Sequence, residues 1–166
     1  MYTHQNFKIT IVDDDPAMTE MEKDFFEHKF PGSAISSFSS GESALSGIYL
    51  EPDVIVLDYH LDSLNPDAMN GLMVLKKLKE QFPNVPIIFL SSQEKTEIAA
   101  NTMKYGAYDY IVKNESAFHR LEILLNNIRG QASLKKNLGT QKIFNTILAV
   151  LVVALLIGFI VSKMMN

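Results

Sequence analysis

Four short, mostly apolar runs in this chain each end on a residue that can do chemistry. Residues 7–12 run into Asp13 and Asp14, 53–57 into Asp58, 87–90 into Ser91, and 108–112 into Lys113. Each run is short, rich in Val and Ile, and closed by polar side chains, as expected of strands covered on both faces. A weaker strand is expected over 33–39. Helical spacing fills the gaps between them. Asp15 is the expected N-cap and Pro16 the first-turn residue of a helix in which Met18, Met21, Phe25, Phe26 and Phe30 recur. Further helices are expected at 41–50, 72–82, 95–105 and 115–128, with Gly106 stopping the fourth. Met18, Met21 and Met73 read as core filler. Five β/α alternations with near-continuous apolar strands argue for a parallel sheet covered by helices on both faces.

In such a sheet, ligands bind beyond the carboxyl ends of the strands. Asp13, Asp14, Asp58, Ser91 and Lys113 all fall at that end. Carboxylates crowded together repel one another, and a hard divalent cation with oxygen ligands relieves the repulsion, so Mg²⁺ is the natural guest. A carboxylate beside a metal can attack a phosphoryl group, while a lysine and a hydroxyl share the charge on its oxygens. The roles that follow are Asp58 as nucleophile, Asp13 and Asp14 on the metal, and Ser91 and Lys113 on phosphoryl oxygens.

These residues reach a known pattern. Ile11-Val-Asp-Asp-Asp-Pro16, Val54-Ile-Val-Leu-Asp58, Asn70-Gly71, Pro86-Ile-Ile-Phe-Leu-Ser-Ser92, Gly106-Ala107 and Asp109-Tyr-Ile-Val-Lys113 follow in order. Over about residues 5–129 the chain resembles the receiver domain of bacterial two-component response regulators. The resemblance implies a flavodoxin-like, five-stranded sheet of order 2-1-3-4-5. It implies phosphoryl transfer from a histidine kinase or phosphotransfer protein to Asp58, with Mg²⁺ held by Asp13, Asp14, Asp58 and the backbone carbonyl of His60. It also implies a switch in which Ser91 moves toward the phosphoryl group and Tyr110 changes rotamer. That switch reshapes the face of the fourth helix, fifth strand and fifth helix, where partners or a second copy dock. Such a protein is a phosphoacceptor that promotes its own phosphotransfer and dephosphorylation, rather than an enzyme acting on a separate substrate.

Three departures from the family pattern stand out. The loop between Asp58 and Gly71 is about five residues longer than usual, residues 65–69 being the extra material. Asn114 follows Lys113 where the family has Pro, which removes the usual reason for a cis peptide. His60, two positions after Asp58, is expected to be an exposed loop histidine. Two rival readings have their own marks. A receiver fold used as a phosphorylation-independent membrane interaction module would fail to bind Mg²⁺. A hydrolase of the haloacid-dehalogenase type fits Asp13-Asp14-Asp15 superficially, but Pro16-Ala17 stands where Gly-Thr is usual and the late acidic pair is missing.

The other constraint lies near the far end. Residues 143–162 carry no charge, and 147–161 contain no polar side chain. Twenty residues of helix span about 30 Å, the thickness of a hydrocarbon core. A transmembrane helix is therefore expected at 143–162, after a receiver domain at 1–129 and a basic juxtamembrane linker at 130–142. Residues 1–128 hold 10 Lys/Arg against 19 Asp/Glu, whereas Arg129, Lys135, Lys136 and Lys142 stand without an acid over 129–142. An acidic body is a poor binder of nucleic acid. The basic stretch suits anionic head groups and places the first domain on the cytoplasmic side of the cytoplasmic membrane. No DNA-binding output is expected to follow. With no Cys there is no disulfide framework and no thiolate metal site.

Overall fold

The computed structural model describes residues 7–62, 67–92 and 94–164, without the side chains of 135–142 and 152–164. In chain order the elements are β1 (Lys8–Val12), α1 (Pro16–Lys29), β2 (Ala34–Phe38), α2 (Gly41–Gly47), β3 (Val54–Leu57), α3 (Gly71–Gln81), β4 (Ile87–Ser91), α4 (Thr96–Lys104), β5 (Asp109–Val112) and α5 (Ala117–Met164). All strand pairs are parallel, in the order β2-β1-β3-β4-β5. The direction of winding reverses between β1 and β3, and a crevice at that point is where this architecture takes ligands.

Residue alternation along the strands feeds two apolar layers. Ile9, Ile11, Val54, Val56, Ile88, Leu90 and Ile111 pack with Phe26 of α1, Phe30 at that helix's C-cap, and Leu121, Leu125 and Ile128 of α5. Ile55, Leu57, Ile87 and Phe89 face Ala44 of α2 and Val74, Leu75 and Leu78 of α3. Sealing each such side chain contributes about 1.5–3 kcal/mol. That two-sided covering is why the strands read as continuous apolar runs.

Two details of packing differ from the expected pattern. Met21 is 55% exposed and Met73 49% exposed, so neither fills the core. On α1 the inward row runs 18, 22, 26, which turns Met21 outward and Glu22 inward. On α3 the inward residues are Val74, Leu75 and Leu78. His60 is half-buried rather than exposed, its ring set edge-on to Tyr59 at 5.1 Å between centroids. The described residues contain no cis peptide bond. Residues 63–66, part of the long loop, lie outside the described residues; the loop's far end is tied to α2, where the Met69 N–H donates to the Glu42 carboxylate at 2.9 Å.

The chain divides into two compact units, Met1–Arg129 and Gly130–Asn166. In the second the backbone is helical up to Met164, so the expected linker over 130–142 is helix. Lacking Pro and holding Gln, Ala, Leu and Lys, it has the composition for it. Among the described residues no helix is long and apolar enough to cross a membrane. The side chains of 152–162, most of the expected span at 143–162, lie outside the described residues. Of those described, Ile143, Phe144, Ile147, Leu148, Val150 and Leu151 are all more than half exposed.

Candidate functional site

The pocket is assembled by strand register. Val12 pairs with Leu57 across β1 and β3, so the next residue on each strand, Asp13 and Asp58, leaves the sheet at the same level. The Asp58 N–H donates to the Val12 carbonyl at 2.8 Å, which fixes that level. Ser91 pairs with Val112, and the Lys113 N–H donates to the Ser91 carbonyl at 2.7 Å. Asp14 follows directly on Asp13. The five predicted side chains therefore come from the ends of β1, β3, β4 and β5.

Asp13, Asp14 and Asp58 each offer a carboxylate oxygen within 4.8 Å of the others. Asp13 and Asp58 are buried and Asp14 is half-buried. Lys113 Nζ bridges the two buried acids, 2.8 Å from Asp13 Oδ2 and 3.0 Å from Asp58 Oδ1. Backbone donors complete the shell: the Asp15 N–H reaches Asp13 Oδ1 at 2.9 Å, and the His60 N–H reaches Asp58 Oδ2 at 2.7 Å. Burial pushes the Asp13 carboxyl up from its ordinary range, against the hydrogen bond and charge of Lys113, and the neighbouring Asp58 adds to the rise. Burial works to lower Lys113, but its bonds to Asp13 and Asp58 and their charges outweigh that and raise it. The lysine thus stays charged and clamps both acids.

Ser91 is fully buried and shares a hydrogen bond with the Tyr110 hydroxyl. Tyr110 is itself buried and stacks on Phe89 at 6.0 Å between centroids. Burial raises the phenol further from ionisation, so it stays neutral. The hydroxyl of Ser91 and the ring of Tyr110 are thereby coupled at the edge of the acidic pocket.

A helix start closes the other side. Asn70 caps α3 by accepting from the Met73 N–H at 3.0 Å. The Gly71 N–H donates to the Tyr59 carbonyl at 2.8 Å. A Cβ at Gly71 would overlap the Asp58 carbonyl oxygen and the Tyr59 backbone. Only glycine lets α3 begin against the loop that follows β3.

One acid near the site was missed by reading the sequence. Glu22 is 1% exposed on α1, and the charges of Asp13, Lys113 and Asp58 all act on it. Residue 22 stands one turn from Met18 and from Phe26, but spacing alone does not choose between it and Met21 for the inward row.

The donor set is all oxygen, which suits a hard cation such as Mg²⁺ better than a thiolate- or imidazole-seeking metal. Asp13, Asp14 and Asp58 would hold it. Bound there, such a cation supplies charge neutralisation at phosphoryl oxygens.

Comparison with known proteins adds an independent line. Residues 9–125 match the model of the response regulator receiver domain. The regulatory protein LuxO of Vibrio cholerae serotype O1 is 38% identical over 104 residues, 62% of this chain and 22% of that protein. The glycerol metabolism activator of Pseudomonas putida is 29% identical over 139 residues, 82% of this chain and 61% of that protein. The chain thus spans less than two thirds of the length of these curated relatives. Among solved structures, the receiver domain of the Francisella response regulator 1452 superposes with a TM-score of 0.66 at 30% identity, covering 76% of this chain and 99% of that one.

Proposed function

This chain belongs to the response regulator receiver domain family of two-component signalling, and from that premise we propose that it is a membrane-anchored receiver that accepts a phosphoryl group on Asp58. The donor is the phosphohistidine of a histidine kinase or phosphotransfer protein. The observation that carries the reading is the Lys113 clamp on Asp13 and Asp58 beside Asp14.

The residues divide the chemistry between them. A carboxylate oxygen of Asp58 forms the new O–P bond as the N–P bond to the donor imidazole breaks, and the imidazole leaves with a proton taken from solvent. Lys113 is already 3.0 Å from Asp58 and can pair with a phosphoryl oxygen as that charge arrives. The His60 N–H holds the acceptor carboxylate in place, and the His60 carbonyl joins Asp13, Asp14 and Asp58 in the Mg²⁺ ligand set. Ser91 turns its hydroxyl to the phosphoryl group and releases Tyr110, whose new rotamer alters the face of α4, β5 and α5. That face carries the signal to a protein partner or a second copy, or the chain serves as a sink for the kinase's phosphate.

The membrane part rests on the exposed apolar side chains from Ile143 to Leu151 and on the uncharged sequence to 162. An apolar surface of this kind marks contact with lipid or protein. Lys135, Lys136 and Lys142 favour the cytoplasmic side for the receiver. Anchoring raises its effective concentration beside membrane-bound kinases.

The test is the intact mass of the full chain in detergent micelles with Mg²⁺ and acetyl phosphate. A gain of one phosphoryl group that needs Mg²⁺ and is absent in Asp58→Ala is the expected result. A wild-type protein that neither gains mass nor responds to Mg²⁺ and beryllofluoride would turn the reading toward a phosphorylation-independent membrane interaction module.

A further inference from the structure

Phosphoacceptor chemistry leaves one buried acid without a role. Glu22 sits on the inward face of α1, one turn after Met18 and one turn before Phe26, both of which pack into the apolar layer under the sheet. Its Oε2 is sealed from solvent without a hydrogen-bond partner. It forms no ion pair among the described residues, and it is not one of the three clustered acids. A carboxylate there would lose its hydration with no hydrogen bond to Oε2 in return, which favours the neutral acid.

The charged groups acting on Glu22 come from three strand ends: Asp13 after β1, Asp58 after β3 and Lys113 after β5. From α5 two charged side chains reach α1 near its far end: Glu122, paired with Lys29 at 3.1 Å, two turns farther along, and Arg129, over the ring of the C-cap residue Phe30 at 5.2 Å. Burial pushes the Glu22 carboxyl up to about 8; Asp13 and Asp58 push the same way and Lys113 opposes. With three carboxylates against one lysine, the pocket is net negative. A divalent cation would cancel that charge, removing the push of Asp13 and Asp58 and leaving burial to resist ionisation.

We propose that Glu22 is a proton-linked partner of the acidic pocket, neutral while the pocket lacks a cation and ionised when a divalent cation sits on Asp13, Asp14 and Asp58. The proton goes to solvent. The proposal rests on the reading of those three acids as a cation site. Its consequence is a receiver whose Mg²⁺ affinity, and with it readiness for phosphorylation, rises as pH climbs through the neutral range.

The experiment is calorimetric titration of the full chain in detergent micelles with MgCl₂ at about pH 7.5, in two buffers of different ionisation enthalpy. A tenfold rise in Glu22 acidity on cation binding releases about half a proton per Mg²⁺ at that pH. Glu22→Gln and Glu22→Leu are expected to bind Mg²⁺ with that release gone; thermal melting of each checks that it is folded. In the wild type, the infrared band of a neutral carboxyl at pH 7.5 should diminish on adding MgCl₂, a readout that needs no variant. Proton release unchanged in the folded variants, or a carboxyl band indifferent to Mg²⁺, overturns the proposal while leaving the cation site standing. No Mg²⁺ binding by the wild type removes the cation site and the proposal with it.

Discussion

Lys113 is the residue on which the pocket depends, because it alone among the described side chains sits between the two buried acids. Replacing it by Met leaves Asp13 and Asp58 facing each other without a cation. The expected loss is about 2–4 kcal/mol at pH 7, since an unpartnered buried charge is costly. Chemical denaturation of both proteins should show that gap narrowing as pH falls and Asp13, already raised by burial, takes up a proton. Glu22 makes a prediction of opposite sign. Its folded-state value of about 8 stands above the ordinary 4.5, so the native state holds a proton that the unfolded chain has released. Its contribution is whole below about pH 4.5 and is lost as pH rises to about 8, then levels off. Glu22→Gln should match the wild type near pH 4.5 and exceed it in melting temperature increasingly up to pH 8. Asp13 is raised as well, so the difference between the two proteins, rather than either curve, isolates Glu22. A gap that stays constant with pH would sink the assignment.

Secondary-structure elements act here mainly by where they stop. β1, β3, β4 and β5 end at the pocket, and α3 begins on its wall. Gly71→Ala forces a Cβ into the Asp58 carbonyl; a stability loss of about 1–3 kcal/mol is expected, with slower phosphorylation by acetyl phosphate. Asn70→Ala removes only a cap, should cost about 1 kcal/mol, and should leave the phosphorylation rate near that of the wild type. Matched losses of rate in the two variants would refute a specific role for the close approach. The strand ends were legible in sequence because a strand buried on both faces is a short apolar run, and its first polar residue marks where it leaves the core. β2 was the weakest expectation for the complementary reason: at the sheet edge its residues are half-buried or exposed, and Ser36 and Ser37 interrupt the apolar pattern. Counting the apolar residues of α1 was not enough to fix its rotational phase. Met21 fits a helical stripe as well as Met18 does, and only packing against the sheet decides that Glu22 takes the inward place. The clamp itself joins residues with no local pattern between them, so its geometry could not be read from spacing.

On the scale of the whole molecule, charge and apolarity are separated along the chain: the acids lie in the first 128 residues and the uncharged run at 143–162. If that run spans a bilayer, the full chain stays in the membrane pellet after alkaline carbonate washing. Leu151→Arg with Leu155→Arg, each costing about 2.5–3.5 kcal/mol at a helix centre, should lose that resistance. A wild-type chain washed off by carbonate would refute the anchor. The bond from Lys113 to Asp13 joins residues 100 positions apart, and this has a bearing on the protein's birth. While the chain is being synthesised, its acids emerge early and their lysine late. Until β5 has been made and has paired with β4, the nascent protein carries Asp13 and Asp58 without the group that clamps them. Closure of so long a loop comes late and slowly. If Asp58 accepts phosphate as proposed, a copy truncated before β5 would lack the clamp and should gain no phosphoryl group from a donor, so that competence would certify completion.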